Sequence, residues 1–323
     1  MTDLTAPPAT FDAARVRHIL TEYGVYIAIA VLLLYNVFFT DNFLQWSNFR
    51  IQLVQVAPIV MVALGMALVI GTEGIDLSVG SVMALGASLI PLYLGYGVAA
   101  AVIAAIVGGI VLGFVNGALV AGVRLQPIVA TLSMLVAGRG IALVISNGQL
   151  KDIRDKDFLT IGSGADPLLD VPWLVWIALL LALLVGFLMR RTVFGRQLLA
   201  IGDNRPAAVL AGLPVRRVLI TVYVLSAVLA SIAGVVTVSR IQSSDASQVG
   251  LLIELSAITA VVVGGTPLTG GRVRVLGTVA GAVLMQLLAA TLIKHNLKNS
   301  TEQMVQAVII LVAVYAARER RTR

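Results

Sequence analysis

A short polar segment separates two long hydrophobic stretches near the start of the chain. Residues 71–81 place the carboxylates of Glu73 and Asp76 and the hydroxyls of Ser78 and Ser81 among glycines and aliphatic residues. Acidic side chains at membrane depth are costly and mark substrate or ion pathways. Glycines that break a helix are tolerated there where the freed backbone is buried in protein or lines a water-filled cavity. The segment therefore predicts a polar elbow on a transport path, and an ordinary turn between two helices is the alternative.

The residue types of this elbow lead to two structural expectations. Gly74 and Gly80 should hold backbone geometries that a side chain resists, because glycine alone lacks a Cβ. Asp76 should accept hydrogen bonds from backbone N–H groups at the start of the next helix, where the helix dipole favours negative charge.

Further polar residues interrupt the hydrophobic stretches. Asn, Gln, Ser and Thr carry both donors and acceptors, which a path for a hydroxyl-rich substrate needs, although such residues also join helices to one another. Arg139 is the most costly of them and should pair with a carboxylate or with helix-end carbonyls. The candidate path or elbow residues are Glu73, Asp76, Ser78, Ser81, Asn116, Thr131, Arg139, Asn147, Glu254 and Thr259.

A short helix is predicted within an arginine-rich segment, at about 204–213. Asn204 can cap it, Pro206 suits its first turn and Gly212 ends it. A charge-poor helix facing an aqueous compartment fits docking into a partner's groove. A helix lying on the membrane, beside arginines that bind lipid headgroups, is the alternative. The candidate docking residues are Asn204, Arg205, Ala207, Ala208 and Gly212.

Membrane-spanning helices must position all of these residues. The chain has 323 residues, of which 59% are hydrophobic and 12% charged, and its mean hydropathy is +0.98. These values predict an all-α polytopic membrane protein with about ten transmembrane helices. The absence of cysteine excludes disulfides and thiol chemistry. The predicted spans are 23–40, 51–72, two within 77–123 that turn at 95–97, 126–147, 171–189, 218–239, 255–266, 275–293 and 303–317.

The distribution of charge predicts the orientation of these spans. Arginines are concentrated in segment 190–217 and in the tail, whereas the loop 148–170 is net acidic. Positive charge marks the cytoplasmic side, so this pattern reflects membrane topology and argues against a nucleic-acid surface. We expect a cytoplasmic segment 1–24, one transmembrane domain at 25–317 and a cytoplasmic tail 318–323.

A weak internal echo relates two glycine-rich regions. Residues 67–87 and 258–282 both run from an apolar helix through a glycine-rich polar turn into a helix of small residues. Transporters are often built from repeats with broken helices near the substrate path. An internal duplication and a shared glycine-rich composition both account for the echo.

Six motifs, in order, resemble the permeases of ABC importers of the ribose/xylose/arabinose/galactose class. The Ala207-Ala208-x-x-x-Gly212 spacing is also similar to the core of the coupling-helix motif of ABC permeases. Through 125–149 and 244–254 the chain most resembles galactofuranose permeases. The match covers about 50–315, and the motifs lie at 74–81, 126–132, 137–140, 200–204, 223–226 and 262–266.

The resemblance implies a type II-like permease fold and a transport subunit without enzymatic activity of its own. It implies ATP-driven import of a monosaccharide across a bacterial inner membrane, with galactofuranose as the first candidate and a pentose or another hexose otherwise. The implied partners are a cytoplasmic ABC ATPase that holds ATP and Mg, a periplasmic sugar-binding protein, and a second permease chain in a homo- or heterodimer. This chain itself lacks a phosphate-binding loop and is expected to hold no cofactor.

Two other functions remain open at this stage. A branched-chain amino-acid ABC permease would share the architecture. An ion-coupled secondary carrier would instead use Glu73, Asp76 or Glu254 as a titrating relay.

Overall fold

A computed structural model describes residues 13–296 and the helical residues 300, 301, 303–305, 307–309 and 311. Side chains are described from Tyr23 onward. The predicted tail 318–323 and most of the predicted tenth span lie outside the described residues, and the domain bounds stay a prediction. The helices are α1 Ala13–Phe39, α2 Trp46–Ile70, α3 Val79–Tyr93, α4 Val98–Ala121, α5 Pro127–Ser146, α6 Lys156–Ser163, α7 Trp173–Arg191, α8 Val193–Asp203, α9 Arg205–Leu210, α10 Val215–Ile241, α11 Ile253–Val263 and α12 Val275–Lys294.

The described chain is mostly helical, as the composition predicts. Seven of its helices are long and apolar enough to cross a membrane, namely α2, α3 with its 3₁₀ extension to Tyr96, α4, α5, α7, α10 and α12. The polytopic all-α class is confirmed, whereas the predicted number of about ten spans is not. The count falls short partly because α11 has 11 residues, so its length of about 16 Å is roughly half the hydrocarbon thickness.

Two short strands lie outside the predicted elements. β1 Lys151–Asp152 pairs antiparallel with β2 Ser243–Ser244. β1 belongs to the loop 148–170, which also contains α6, and β2 directly follows α10. The pairing therefore ties this loop to the end of α10.

Helix α10 lies at the centre of the fold and packs against α2, α3 and α4. Glycines on the neighbours make this close packing feasible. A Cβ on Gly65 would lie 2.9 Å from Ser226 Cα, and one on Gly109 would lie 2.8 Å from Ser231 Cβ. A central helix held by backbone contacts on several sides gives the polar residues of α10 fixed positions next to the elbow.

Candidate functional site

The elbow forms the connection between α2 and α3. We call residues 71–78 the inner hook. Its one residue with a left-handed backbone is Glu73, with φ of 63°, whereas neither Gly74 nor Gly80 has a positive φ. The expectation of unusual backbone angles at these glycines is therefore wrong. The reason for glycine is close approach: a Cβ on Gly74 would lie 2.8 Å from the Tyr223 hydroxyl, and one on Gly80 would clash with the Gly250 carbonyl.

Asp76 is the centre of a buried hydrogen-bond network. Only 1% of its surface is exposed. Its Oδ1 accepts from the backbone N of Ser78 at 3.0 Å and from the Ser78 hydroxyl at 2.6 Å, and its Oδ2 accepts from the Ser226 hydroxyl at 3.0 Å. The expected acceptance from an N–H at the helix start is confirmed. Both carboxylate oxygens are satisfied, which is the condition for keeping such a group in the interior.

The network extends to three further predicted residues. Asn116 Nδ2 of α4 donates to the Ser78 hydroxyl at 2.7 Å. Ser81 donates to the Ser78 carbonyl at 2.8 Å, and Thr131 of α5 donates to the Ile75 carbonyl at 3.1 Å. The fold thus joins α3, α4, α5 and α10 through the inner hook.

Two atoms beside this network lack partners. Asn116 Oδ1 and the Tyr223 hydroxyl are buried and have no hydrogen-bond partner among the residues that the structure describes. A buried unpaired polar group costs about 1–3 kcal/mol. These two atoms are free to bond a hydroxylated substrate, a water molecule or a rearranged hook.

A second hook of the same construction follows α10. We call residues 242–252 the outer hook. Its Asp245 Oδ1 accepts from the backbone N of Ser247 at 2.8 Å and from the Ser247 hydroxyl at 2.6 Å. The Ser247 hydroxyl is the main reason that the pKa of Asp245 lies below its ordinary value, and burial opposes this shift. Gly250 has φ of 70° and lies against Gly80, so the outer hook touches the first turn of α3, directly after the inner hook.

Arg139 of α5 contacts the outer hook, and Glu254 of α11 lies directly after it. Arg139 Nη1 donates to the carbonyls of Ala246 at 2.8 Å and Val249 at 2.7 Å. The expected partners were a carboxylate or helix-end carbonyls, whereas the two carbonyls that Arg139 contacts lie in the loop between α10 and α11. Glu254 is buried at the start of α11, and its Oε2 has no hydrogen-bond partner within the described part of the chain.

The other path candidates lie outside the two hydrogen-bond networks. Glu73 belongs to the inner hook but is exposed, and Asn147 is exposed in a left-handed conformation at the end of α5. Thr259 is buried and donates to the Leu255 carbonyl within α11 at 2.7 Å. The structure therefore brings the remaining candidates together in two neighbouring clusters.

Helix α9 has the predicted cap and end. Asn204 Oδ1 accepts from the backbone N of Ala207 at 3.0 Å, and Gly212 follows the helix with φ of 73°. Ala208 is buried, whereas Leu210 is 90% exposed. The exposed apolar surface of α9 therefore comes from Val209 and Leu210, two residues that the sequence motif leaves unspecified.

A cavity of about 1090 Å³ lies beside α9, between it and the connection from α4 to α5. Its lining combines exposed Val209 and Leu210 with arginines. The arginines are Arg124, Arg205, Arg216 and Arg217. An apolar helix edge next to concentrated positive charge suits an acidic partner with an apolar groove.

Sequence reasoning missed several residues of these sites. Ser226 and Tyr223 lie within one of the quoted family motifs, but neither was selected. Asp245 and Ser247 repeat the Asp-x-Ser spacing of the inner hook, which is a signal visible in the sequence. Among the described residues, no group of three or more His, Cys, Asp and Glu side chains is placed to hold a metal ion.

Comparison with known proteins gives a consistent result. Residues 49–314 match the family described as "Branched-chain amino acid transport system / permease component". The chain is 40% identical to the galactofuranose transporter permease protein YtfT of Escherichia coli (strain K12), over 82% of this chain and 77% of the relative. It is 37% identical to the ribose import permease protein RbsC of the same strain, over 91% and 93%. It is 32% identical to the L-arabinose ABC transporter permease protein AraH of Azospirillum brasilense, over 98% and 94%.

No solved structure matches the chain. The family match nevertheless covers most of the sequence, and the relatives exceed 30% identity over most of its length. The chain therefore belongs to the family of branched-chain amino acid transport system permease components, and the resemblance to ABC sugar permeases is confirmed.

Proposed function

We propose that this chain is the membrane-spanning subunit of an ATP-driven importer that moves a monosaccharide into the cytoplasm of a bacterium. The galactofuranose, ribose and arabinose names of its relatives support a sugar. Galactofuranose is the first candidate, and a pentose or another hexose follows. The multi-pass chain would lie in the inner membrane with both termini in the cytoplasm.

The observation that carries this proposal is α9. A capped short helix that presents Val209 and Leu210 beside an arginine-lined cavity is suited to a groove on a cytoplasmic ATPase. ATP and Mg would reside on that ATPase, and this chain would convert the movement of α9 into movement of its membrane helices. Arg205 and Arg216 lie on the same surface and would meet acidic residues of the ATPase.

The path would run past the two hooks. They separate helices, carry hydroxyl, amide and carboxylate groups, and lie beside buried atoms that have no hydrogen-bond partner among the described residues. Weak contacts of this kind suit a passage, because tight binding would slow release. A periplasmic sugar-binding protein would supply the specificity and would dock on the outer side, where the loop 148–170 carries Asp152, Asp155 and Asp157.

A second permease chain would complete the path. Helix α5 exposes Leu132, Val136 and Val144 along one face, with the small residues Ser133 and Gly140 among them. Small residues let transmembrane helices approach closely. We therefore place the dimer axis beside α5, in either a homo- or a heterodimer.

Uptake by the reconstituted complex tests the proposal. The permease would be placed in vesicles together with its ATPase and its binding protein, and uptake of radiolabelled galactofuranose, ribose, arabinose and leucine would be compared with and without ATP. We expect ATP-dependent uptake of one sugar and none of leucine. ATP-dependent leucine uptake would replace the sugar by a branched-chain amino acid. Uptake driven by a proton gradient without the ATPase would replace the importer by an ion-coupled carrier.

A further inference from the structure

The last turn of α10 carries an arginine without a counterion. Arg240 is half-buried, and its Nε is fully shielded and has no hydrogen-bond partner among the described residues. No ion pair joins it to a described carboxylate. A guanidinium with a shielded, unpaired Nε and no counterion is costly unless an anion completes its surroundings, so this position favours an anionic ligand.

Arg240 lines a cavity of about 620 Å³ between the end of α10, the first turns of α2 and the loop before α7. Arg50 and Asp170 form the polar part of its wall. Trp46, Ile51 and Val54 form the apolar part. Both Trp46 and Ile51 are exposed and belong to a helix long and apolar enough to cross a membrane, so the cavity would open towards the bilayer.

The charges of the cavity sum to one positive charge. Arg50 Nη1 lies 3.5 Å from Asp170 Oδ1, and Trp46 Nε1 donates to Asp170 Oδ2 at 3.0 Å. Asp170 thus offsets Arg50 and holds Trp46 in place, while Arg240 remains unbalanced. A singly charged anion, such as a phosphodiester, would neutralise the site.

We propose that this cavity binds the headgroup phosphate of an anionic phospholipid from the outer leaflet. Arg240 binds the phosphate with help from Arg50, and an acyl chain lies along Ile51 and Val54. Basic pockets between transmembrane helices bind lipid headgroups in this manner, and tryptophan lies at the membrane interface. The apolar wall favours a lipid over a soluble anion, which would leave Ile51 and Val54 uncovered. The inference is independent of the transported substrate.

Trp46 supplies the test. The chain has three tryptophans, so Trp173→Phe with Trp176→Phe leaves Trp46 as the reporter. The full-length protein is placed in mixed phosphatidylglycerol and phosphatidylcholine vesicles in which one of the two lipids is brominated on its upper acyl chain. We expect the quenching of Trp46 to show that phosphatidylglycerol is enriched about fivefold near Trp46 relative to the bulk lipid. This is the enrichment that the attraction of one basic residue for an anionic lipid supplies.

Variants test whether the enrichment of phosphatidylglycerol arises at Arg240. Arg240→Gln should bring the enrichment to about one, whereas Arg240→Lys should retain most of it. Arg191→Gln is the control, because Arg191 is exposed at the opposite end of α7, and it should leave the preference unchanged. Inorganic phosphate added to the vesicles should not displace the lipid.

Several results would overturn the proposal. Equal quenching by the two lipids in the unsubstituted Arg240 protein would do so without any variant, even if Arg240→Gln fails to fold. A preference that survives Arg240→Gln would place the lipid elsewhere. If inorganic phosphate abolished the enrichment of phosphatidylglycerol near Trp46, free phosphate would be the ligand. If the sugar-binding protein alone shielded Trp46 from quenching, a carboxylate of that protein would be the occupant.

Discussion

Replacement of Asp76 should reveal how much the inner hook depends on its buried carboxylate. Asp76→Leu leaves the backbone N–H of Ser78 and the hydroxyls of Ser78 and Ser226 without the acceptor they have now. A buried unsatisfied N–H costs about 1–3 kcal/mol. The hydroxyls can turn towards helix carbonyls and recover part of their loss. We therefore expect Asp76→Leu to lower the free energy of unfolding by about 2–5 kcal/mol.

The isosteric variant Asp76→Asn measures how much the charge of the carboxylate adds to its hydrogen bonds. Asp76→Asn keeps Oδ1 as the acceptor for Ser78, and its amide can donate to the Ser226 hydroxyl. It loses only the extra strength of charge-assisted bonds, so we expect a loss of about 1 kcal/mol. Asp245→Leu in the outer hook is the matched control. It removes the same pair of bonds from Ser247, but Ser247 is exposed to water, and the loss should stay within about 0.5 kcal/mol.

Thermal unfolding of the full-length variants in nanodiscs measures these differences, and uptake by the assembled complex measures transport. We expect Asp76→Leu to reduce transport more than it reduces the amount of protein in the membrane. The reasoning fails if Asp76→Leu unfolds at the same temperature as the unsubstituted protein. It also fails if Asp245→Leu is as damaging as Asp76→Leu, because burial would then not be what makes these bonds matter.

Three further predictions concern α9, the contact of α3 with the outer hook, and the pKa of Asp245. Leu210→Glu should weaken ATPase binding at least about tenfold, since burial of a leucine contributes about 1.5–3 kcal/mol; unchanged copurification would contradict this. Gly80→Ala should destabilise the fold by about 1–3 kcal/mol, whereas Gly24→Ala in α1, with open space around it, should not, as unfolding curves will show. The pKa of Asp245 is lower in the folded chain than its ordinary value, so ionised Asp245 stabilises the fold above the ordinary pKa, and this stabilisation is lost as pH falls through the folded pKa. Ser247→Ala removes the main cause of the lowered pKa and should move acid destabilisation to higher pH. Unfolding curves of the two proteins that coincide at every pH would argue against this.

The class of the fold and the approximate spans could be predicted because hydrophobicity is a local property. Each uncharged run needs only its own residues to identify a helix. The α9 cap was likewise predictable, because Asn204 bonds a backbone N–H three residues away. Its exposed face was not: helical periodicity alone does not say that Ala208 packs inward and Leu210 outward.

The contacts of the hooks could not be derived in the same way. Ser226, which completes the shell of Asp76, lies 150 residues further along the chain. Arg139 is satisfied by two backbone carbonyls, and carbonyls carry no signature in a sequence. The choice of glycine at position 80 also has a distant cause, the approach of Gly250. Each case needs the arrangement of α3, α5 and α10, which local patterns do not specify.

The two hooks also indicate which symmetry the chain has. The sequence echo pairs the inner hook with 264–271, yet the structure puts these regions in contact, with the N–H of Gly271 bonded to the Gly71 carbonyl at 3.1 Å. The outer hook is the closer counterpart, since it has the same Asp-x-Ser bonds, follows a long helix and precedes a shortened one. The charge pattern predicts that α2 runs towards the cytoplasm and α10 away from it, and in that orientation the two units would be inverted. Inverted repeats place broken helices around a shared midpoint, and the contact of Gly80 with Gly250 would be that midpoint. If the proposed path runs past this contact, a movement that separates the two glycines would shift the starts of α3 and α11 together.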